Sequence, residues 1–163
     1  EQTLTLLGPQ LTEAGVKILP RLEADSPQAV VDRDAIRQVL FNLARNAAEA
    51  LQANPREERK IEIRTAGTDT HLQIDVADNG PGIPDALRSK LFTAFASADK
   101  KAGLGLGLAV CKEIVAVHGG EISASNGQHG GTLITVSIPR RTGAAAIIGF
   151  DQAGPKDALD RSA

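Results

Sequence analysis

The chain has 163 residues, a length that a single hydrophobic core can serve, and 18 Lys plus Arg stand against 20 Asp plus Glu. A formal net charge of −2 and an aromatic content of 2% supply neither a basic footprint nor a stacking platform, so nucleic-acid binding is disfavoured. No apolar run reaches membrane-spanning length, and a single cysteine rules out an intrachain disulfide and fits the cytoplasm. The chain begins at Glu1, contains no Met and carries no visible secretory signal, so it reads as a piece of something longer.

Residues 1–15 read as a linker or the end of a preceding helical domain, with Leu4 to Leu11 as a short helix end. Val16 to Ala24 alternates well enough for a strand despite Pro20, and Ala29-Val30-Val31-Asp32 reads as a short second strand. Asp34 is expected as the cap or first-turn acid of a helix over Ile36 to Leu51. There Ile36, Val39, Leu40, Leu43, Ala47, Ala50 and Leu51 form an apolar stripe. Asn54-Pro55 ends that region. Lys60 to Thr65 and His71 to Ala77 form a hairpin across Gly67-Thr68-Asp69, and Asp85 to Leu91 a short helix. Leu108 to His118 is a further helix, stopped by Gly119-Gly120. Within it, Cys111 is expected to be buried packing, and His118 sits where a helix C-terminus favours a cation. Glu121 to Ser125 and Thr132 to Pro139 close the domain as a hairpin around Asn126-Gly127. The pattern gives an α+β fold: a mixed sheet of about five strands with about three helices on one face. The ordered domain is expected over 16–141, and 142–163 reads as a disordered tail.

Three stretches carry chemistry. The strand ending at Ala77 delivers a carboxylate to Asp78-Asn79-Gly80-Pro81-Gly82-Ile83-Pro84. Gly lets a ligand approach the backbone, and Pro stiffens the turn and removes donors. Such a carboxylate can accept hydrogen bonds from a flat ligand such as a purine. Read alone, the stretch is equally an ordinary Asp-Asn-Gly turn. Next, Gly103-Leu104-Gly105-Leu106-Gly107-Leu108 opens a helix, so bare N–H groups and the positive helix end suit a di- or triphosphate. Its spacing matches neither the dinucleotide-fold glycine motif nor the P-loop, and a plain flexible loop is the other reading. Finally, Asn42 and Asn46 are four apart on one helix, so they share one side of it. Amide oxygens are hard donors that can help hold Mg²⁺ beside phosphates and water; two solvated amides are the alternative.

In chain order the asparagine pair comes first, then the Asp78 loop, then Leu91-Phe92-Thr93-Ala94-Phe95, then the glycine run, and last Gly130-Gly131-Thr132. That order closely resembles the ATP-binding domain of bacterial sensor histidine kinases, a branch of the gyrase, chaperone, kinase and mismatch-repair ATP-binding superfamily. The resemblance runs from about Leu4 to Arg140. The wording Asn42-Leu43-Ala44-Arg45-Asn46-Ala47-Ala48-Glu49-Ala50 and the short lid are most similar to the nitrogen-, oxygen- and dicarboxylate-sensing kinases.

The resemblance implies a Bergerat-type two-layer sandwich with a left-handed β-α-β crossover. It implies ATP and Mg²⁺ as cofactors. Asp78 would receive the adenine amino group, Gly80 and Gly82 let the base lie on backbone, Ile83 packs on it, and Thr132 contacts its edge through water. Asn42 and Asn46 match the metal and phosphate amides, and Arg45 stands within reach of a phosphate or simply on the surface. Gly103, Gly105 and Gly107, with the amides of Leu106 and Leu108, would hold the phosphates. Lys100 or Lys101, in a lid over Ser97 to Ala102, would swing onto the γ-phosphate or remain solvated.

None of His71, His118 and His129 has the acceptor context, so the phosphoacceptor is expected on an upstream helical dimerisation domain. A response regulator receiver domain would follow. The isolated domain would be monomeric, the full-length protein a homodimer, soluble or membrane-anchored. Hydrolysing members carry a glutamate where this chain has Asn42, and an amide is a very poor base for water. Phosphoryl transfer needs mainly positioning and charge neutralisation, so the Asn suits transfer to a histidine. Two departures stand out: Ala94 replaces the usual Pro, and the lid reads Ser97-Ala98-Asp99-Lys100. They keep open a second reading, a nucleotide-binding regulatory module without transfer activity.

Overall fold

The structure is a computed structural model, and it describes residues 8, 9, 11, 12, 15–22, 29–52, 58–94, 106–127 and 130–140. In chain order the elements are β1 (Val16–Leu22), α1 (Arg33–Gln52), β2 (Arg59–Gly67), β3 (His71–Asp78), α2 (Asp85–Arg88), α3 (Gly107–Val117), β4 (Glu121–Asn126) and β5 (Thr132–Pro139). The strands form one sheet in the order β1-β2-β3-β5-β4. β1 runs parallel to β2 through the α1 crossover, and the other three pairings are antiparallel. The α+β expectation of a mixed five-stranded sheet with three helices is met.

Alternation along the strands decides which side is covered. Ile61, Ile63, Ile74, Val76, Ile134, Val136 and Ile138 all enter one core with Val39, Leu43, Ala47 and Leu51 of α1 and Cys111 and Val115 of α3. α1 and α3 pack on each other and on this face. Leu43, Leu51 and Ile61 are fully buried, each stabilising by roughly 1.5–3 kcal/mol. Leu11, helical and ahead of β1, is buried in the same core. β1 lies at a sheet edge, which is where a strand tolerates Pro20.

One element is not where its composition points. Residues 29–32 form neither strand nor helix. β1 pairs directly with β2, so the sheet has no place for a strand between them. Asp32 instead caps α1: its Oδ1 accepts the N–H groups of Asp34 at 2.9 Å and Ala35 at 3.0 Å. These bonds hold the Asp32 carboxyl below its usual range. Asp34 is only the first-turn acid. Val31 packs on the core while Val30 stays exposed.

The far end of α3 closes as expected. Gly119, at φ +70°, donates to Ala116, and Gly120 donates to Val115, both at 2.9 Å, a Schellman ending. His118 serves there as a bridge. Its Nδ1 stands 2.7 Å from the Ile114 carbonyl, and its Nε2 accepts the Asp32 N–H at 3.0 Å. The imidazole thus joins the start of α1 to the end of α3.

Candidate functional site

Register brings the site together. β3 ends at Asp78 and β5 begins at Thr132, with Ala77 opposite Leu133 and Asn126 opposite Thr132. Asp78, Thr132 and Asn126 therefore meet at one end of the sheet. Between that end and α1 lies a cavity of about 160 Å³. Of the residues singled out in the sequence, Asn46, Asp78, Gly82, Ile83, Leu108 and Thr132 line it.

Among the described residues, Asp78 is the only carboxylate on that lining. Its Oδ1 accepts the N–H groups of Gly80 at 2.8 Å and Thr132 at 3.1 Å. Burial raises its pKa above the ordinary carboxylate value, against the pull of those two amides and of the Thr132 side chain. The carboxylate is thus held rigidly by backbone. Gly131 makes this approach possible: at φ +82° it packs so closely that a Cβ would run into the Asp78 carbonyl oxygen. The loop after Asp78 is pinned at its start by Asn79. That side chain accepts the Lys60 N–H and donates to the Glu58 carbonyl, each at 2.8 Å.

The rest of the cavity wall is apolar, and little in the sequence marks it as facing a ligand. Leu87 and Leu91 cover one side, Val76 and Ile134 the floor, and Leu43 and Ala47 the α1 side. The available signal is the i, i+4 spacing of Leu87 and Leu91 beyond Pro84. An apolar cavity with one fixed carboxylate suits a flat heterocycle that offers an amino group.

The two asparagines separate. Asn46 faces the cavity, whereas Asn42 is part-buried behind it and donates from Nδ2 to the Gly107 carbonyl at 3.4 Å. That bond ties α1 to the first residue of α3. Arg45 is exposed and paired with Glu49 at 3.4 Å, although its Nη2 lies 3.7 Å from where a Cβ on Gly107 would stand. Leu106 caps α3, with its carbonyl accepting the Val110 N–H at 3.0 Å. Cys111 is buried beside Val39, and burial pushes its thiol up to about 11. Gly103, Gly105, Lys100 and Lys101 lie outside the described residues, as do Ala98 and Asp99.

Among the described residues no cluster of His, Cys, Asp and Glu could hold a metal ion. Of the two amides, Asn46 is the one that presents a hard oxygen donor on the cavity lining, of the type Mg²⁺ takes beside phosphates and water, while Asn42 is engaged with Gly107.

Comparison with known proteins bears on the family and the fold. Residues 31–142 match the family model for the "Histidine kinase-, DNA gyrase B-, and HSP90-like ATPase". The C4-dicarboxylate transport sensor protein DctS of Rhodobacter capsulatus is 38% identical over 138 residues, covering 85% of this chain and 21% of DctS. The sensory histidine kinase/phosphatase NtrB of Azospirillum brasilense is 37% identical over 135 residues, 76% of this chain and 33% of NtrB. The catalytic domain of histidine kinase ThkA superposes with a TM-score of 0.73 at 31% identity, covering 85% of this chain and 90% of that domain. ThkA in complex with the response regulator protein TrrA matches with a TM-score of 0.71 at 28% identity, over 86% of this chain and 39% of that one.

The chain belongs to this ATPase family, as an ATP-binding domain of the sensor histidine kinase type. It spans only a fifth to a third of the length of these curated sensor proteins. No helix among the described residues is long and apolar enough to cross a membrane.

Proposed function

We propose that this chain binds Mg-ATP and transfers the γ-phosphoryl group to a histidine on an upstream helical domain, in a two-component signalling kinase. The observation that carries the reading is Asp78. It is a part-buried carboxylate fixed by two backbone amides at the edge of an apolar cavity, and such a carboxylate would offer an acceptor to an adenine amino group. Ile83 and the leucines take the ring faces, and Asn46 stands on the side where phosphates would leave toward α3. The N-terminus of α3 favours those phosphates electrostatically. Mg²⁺, held by Asn46 and Asn42 together with the phosphates, would neutralise charge on the transferring group. Asn42 has no basic atom, and its amide nitrogen is engaged with Gly107. Water activation by this residue is therefore disfavoured, and an imidazole nucleophile needs none.

The described histidines leave no acceptor near the cavity. His118 bridges α1 and α3 through both ring nitrogens, and His71 lies on β3 with Nδ1 2.9 Å from Thr70 Oγ1. Transfer demands close in-line geometry, which calls for a separate helical domain, and a response regulator would then take the phosphoryl group from it.

The test is radiolabelled ATP given to the chain alone, to the chain with the upstream helical domain, and to that mixture with the acceptor histidine replaced. Label on the helical domain, dependent on its histidine, is expected, with none on the chain alone. Strong self-labelling would overturn the missing-acceptor argument. ATP binding without any label on the partner would move the assignment to a regulatory nucleotide-binding module, with Ala98 and Asp99 as the first positions to restore.

A further inference from the structure

Asn126, at the end of β4, makes two hydrogen bonds to one residue of the Asp78 loop. Its Oδ1 accepts the Ile83 N–H at 2.7 Å, and its Nδ2 donates to the Ile83 carbonyl at 3.3 Å. One exposed side chain thus does what a neighbouring strand would do for both backbone groups of Ile83. The loop chemistry around Ile83 offers few alternatives. Pro81 and Pro84 flank the position and have no N–H to donate. Gly82 sits between at φ +83°, and a Cβ on it would come within 3.0 Å of Asn126 Oδ1 and 3.2 Å of the Gly131 carbonyl. Asn126 does not line the cavity, whereas Ile83 does, and Ile83 is only 6% exposed.

We infer that Asn126 is a positioning residue that sets base selectivity through Ile83; the inference rests on the nucleotide reading above. Two physical consequences follow from the bracket. It fixes the Ile83 side chain as one wall of the cavity before any ligand arrives, so little ordering cost falls on binding. It also occupies the Ile83 N–H and C=O, on the side of the loop away from the cavity. Recognition of the ring edge is then left to the acceptor at Asp78, which favours an amino-bearing purine and rejects one presenting a carbonyl there. Without Asn126 the loop relaxes, the Ile83 wall no longer holds a purine in register with Asp78, and the penalty for a carbonyl at that edge weakens.

The experiment compares the wild-type chain with Asn126→Ala in calorimetric titrations with Mg-ATP and Mg-GTP, and in amide hydrogen exchange without nucleotide. Ile83 exchange in the variant should rise by about tenfold while core amides such as Val76 and Ile134 keep their protection. ATP affinity should fall by about tenfold, and the ATP-to-GTP preference should narrow by at least about threefold. A purely structural role would lower affinity for both nucleotides together and leave their ratio unchanged, and that result would overturn the inference. Unchanged Ile83 exchange would also overturn it. Wild type that binds ATP beside a variant with the same preference removes this inference alone. Wild type that binds neither nucleotide removes the nucleotide reading and this inference with it.

Discussion

β3 carries two shielded carboxylates on opposite faces of the sheet, Asp75 and Asp78, and the fold treats them differently. Asp75 lies on the face away from the helices, opposite Arg64 on β2 and Thr135 on β5. Side chains surround it: Thr135 Oγ1 at 2.8 Å, Gln73 Nε2 at 2.9 Å and Arg64 Nε at 3.6 Å. A cation and two neutral donors satisfy it, across the sheet from the cavity. Asp78 lies on the helix side, receives two backbone N–H groups on one oxygen, and faces an apolar cavity. A carboxylate whose partners are all supplied by neighbouring side chains belongs to the architecture. One held by backbone and turned toward a space is shaped for a ligand.

The largest effect that would break or sharpen this contrast is on nucleotide binding. Asp78→Asn should weaken ATP by about 1–3 kcal/mol, because an amide donor then confronts the adenine amino group. The ligand-free fold should be no less stable. The raised pKa of Asp78 means the folded state holds its proton more tightly than the unfolded chain. Its contribution to stability is therefore present in acid and lost as pH rises from the ordinary carboxylate value through the folded one. At pH 7 the variant escapes that cost, so its Tm should equal or exceed wild type. A lower Tm with unchanged ATP affinity would make Asp78 a structural residue like Asp75.

The opposite outcome is expected on the other face. Asp75→Ala should cost about 1–2 kcal/mol of stability, since Thr135 and Gln73 lose their acceptor while the half-exposed Arg64 rehydrates. ATP affinity should change by less than about twofold, given additivity between sites that share no partners. Denaturant unfolding with a parallel ATP titration measures both. A large loss of ATP affinity would mean that the two faces are coupled through β3.

The smallest effect belongs to Asp32, an aspartate with neither a cavity nor a cation-rich face. Asp32→Ala should lower Tm by a few degrees at neutral pH through loss of the α1 cap. Because its folded pKa is lowered, the wild-type cap contributes above the unfolded value and fades as pH falls through the folded one. The Tm gap between wild type and variant should therefore narrow in strong acid. A gap independent of pH would assign the effect to packing of the 29–32 segment.

Much of this architecture is legible in the order of residues alone, and the exceptions share a cause. Helix α1, the two hairpins, the α3 stop at Gly119-Gly120 and the Asp78 loop all follow from period and turn chemistry within a short window. Ala29 to Asp32 departs from its pattern because two valines look strand-like locally, while the sheet pairs β1 with β2 and leaves them no partner strand. Asn126 reads in sequence as an ordinary turn residue because its partner, Ile83, is 43 residues away.

The sequence by itself determined the class of protein and marked the candidate ligand groups: an Asp at a strand end, glycines where backbone must come close, and amides in place of an acid. Each is a residue whose chemistry is peculiar to its own position. Tertiary structure alone decided which apolar side chains also became cavity wall, since Leu43, Val76 and Leu87 carry no local mark of that role. It also decided that Asn46 would face the cavity while Asn42 turned to Gly107, because four residues on a helix are slightly more than one turn and the start of α3 meets only one of them.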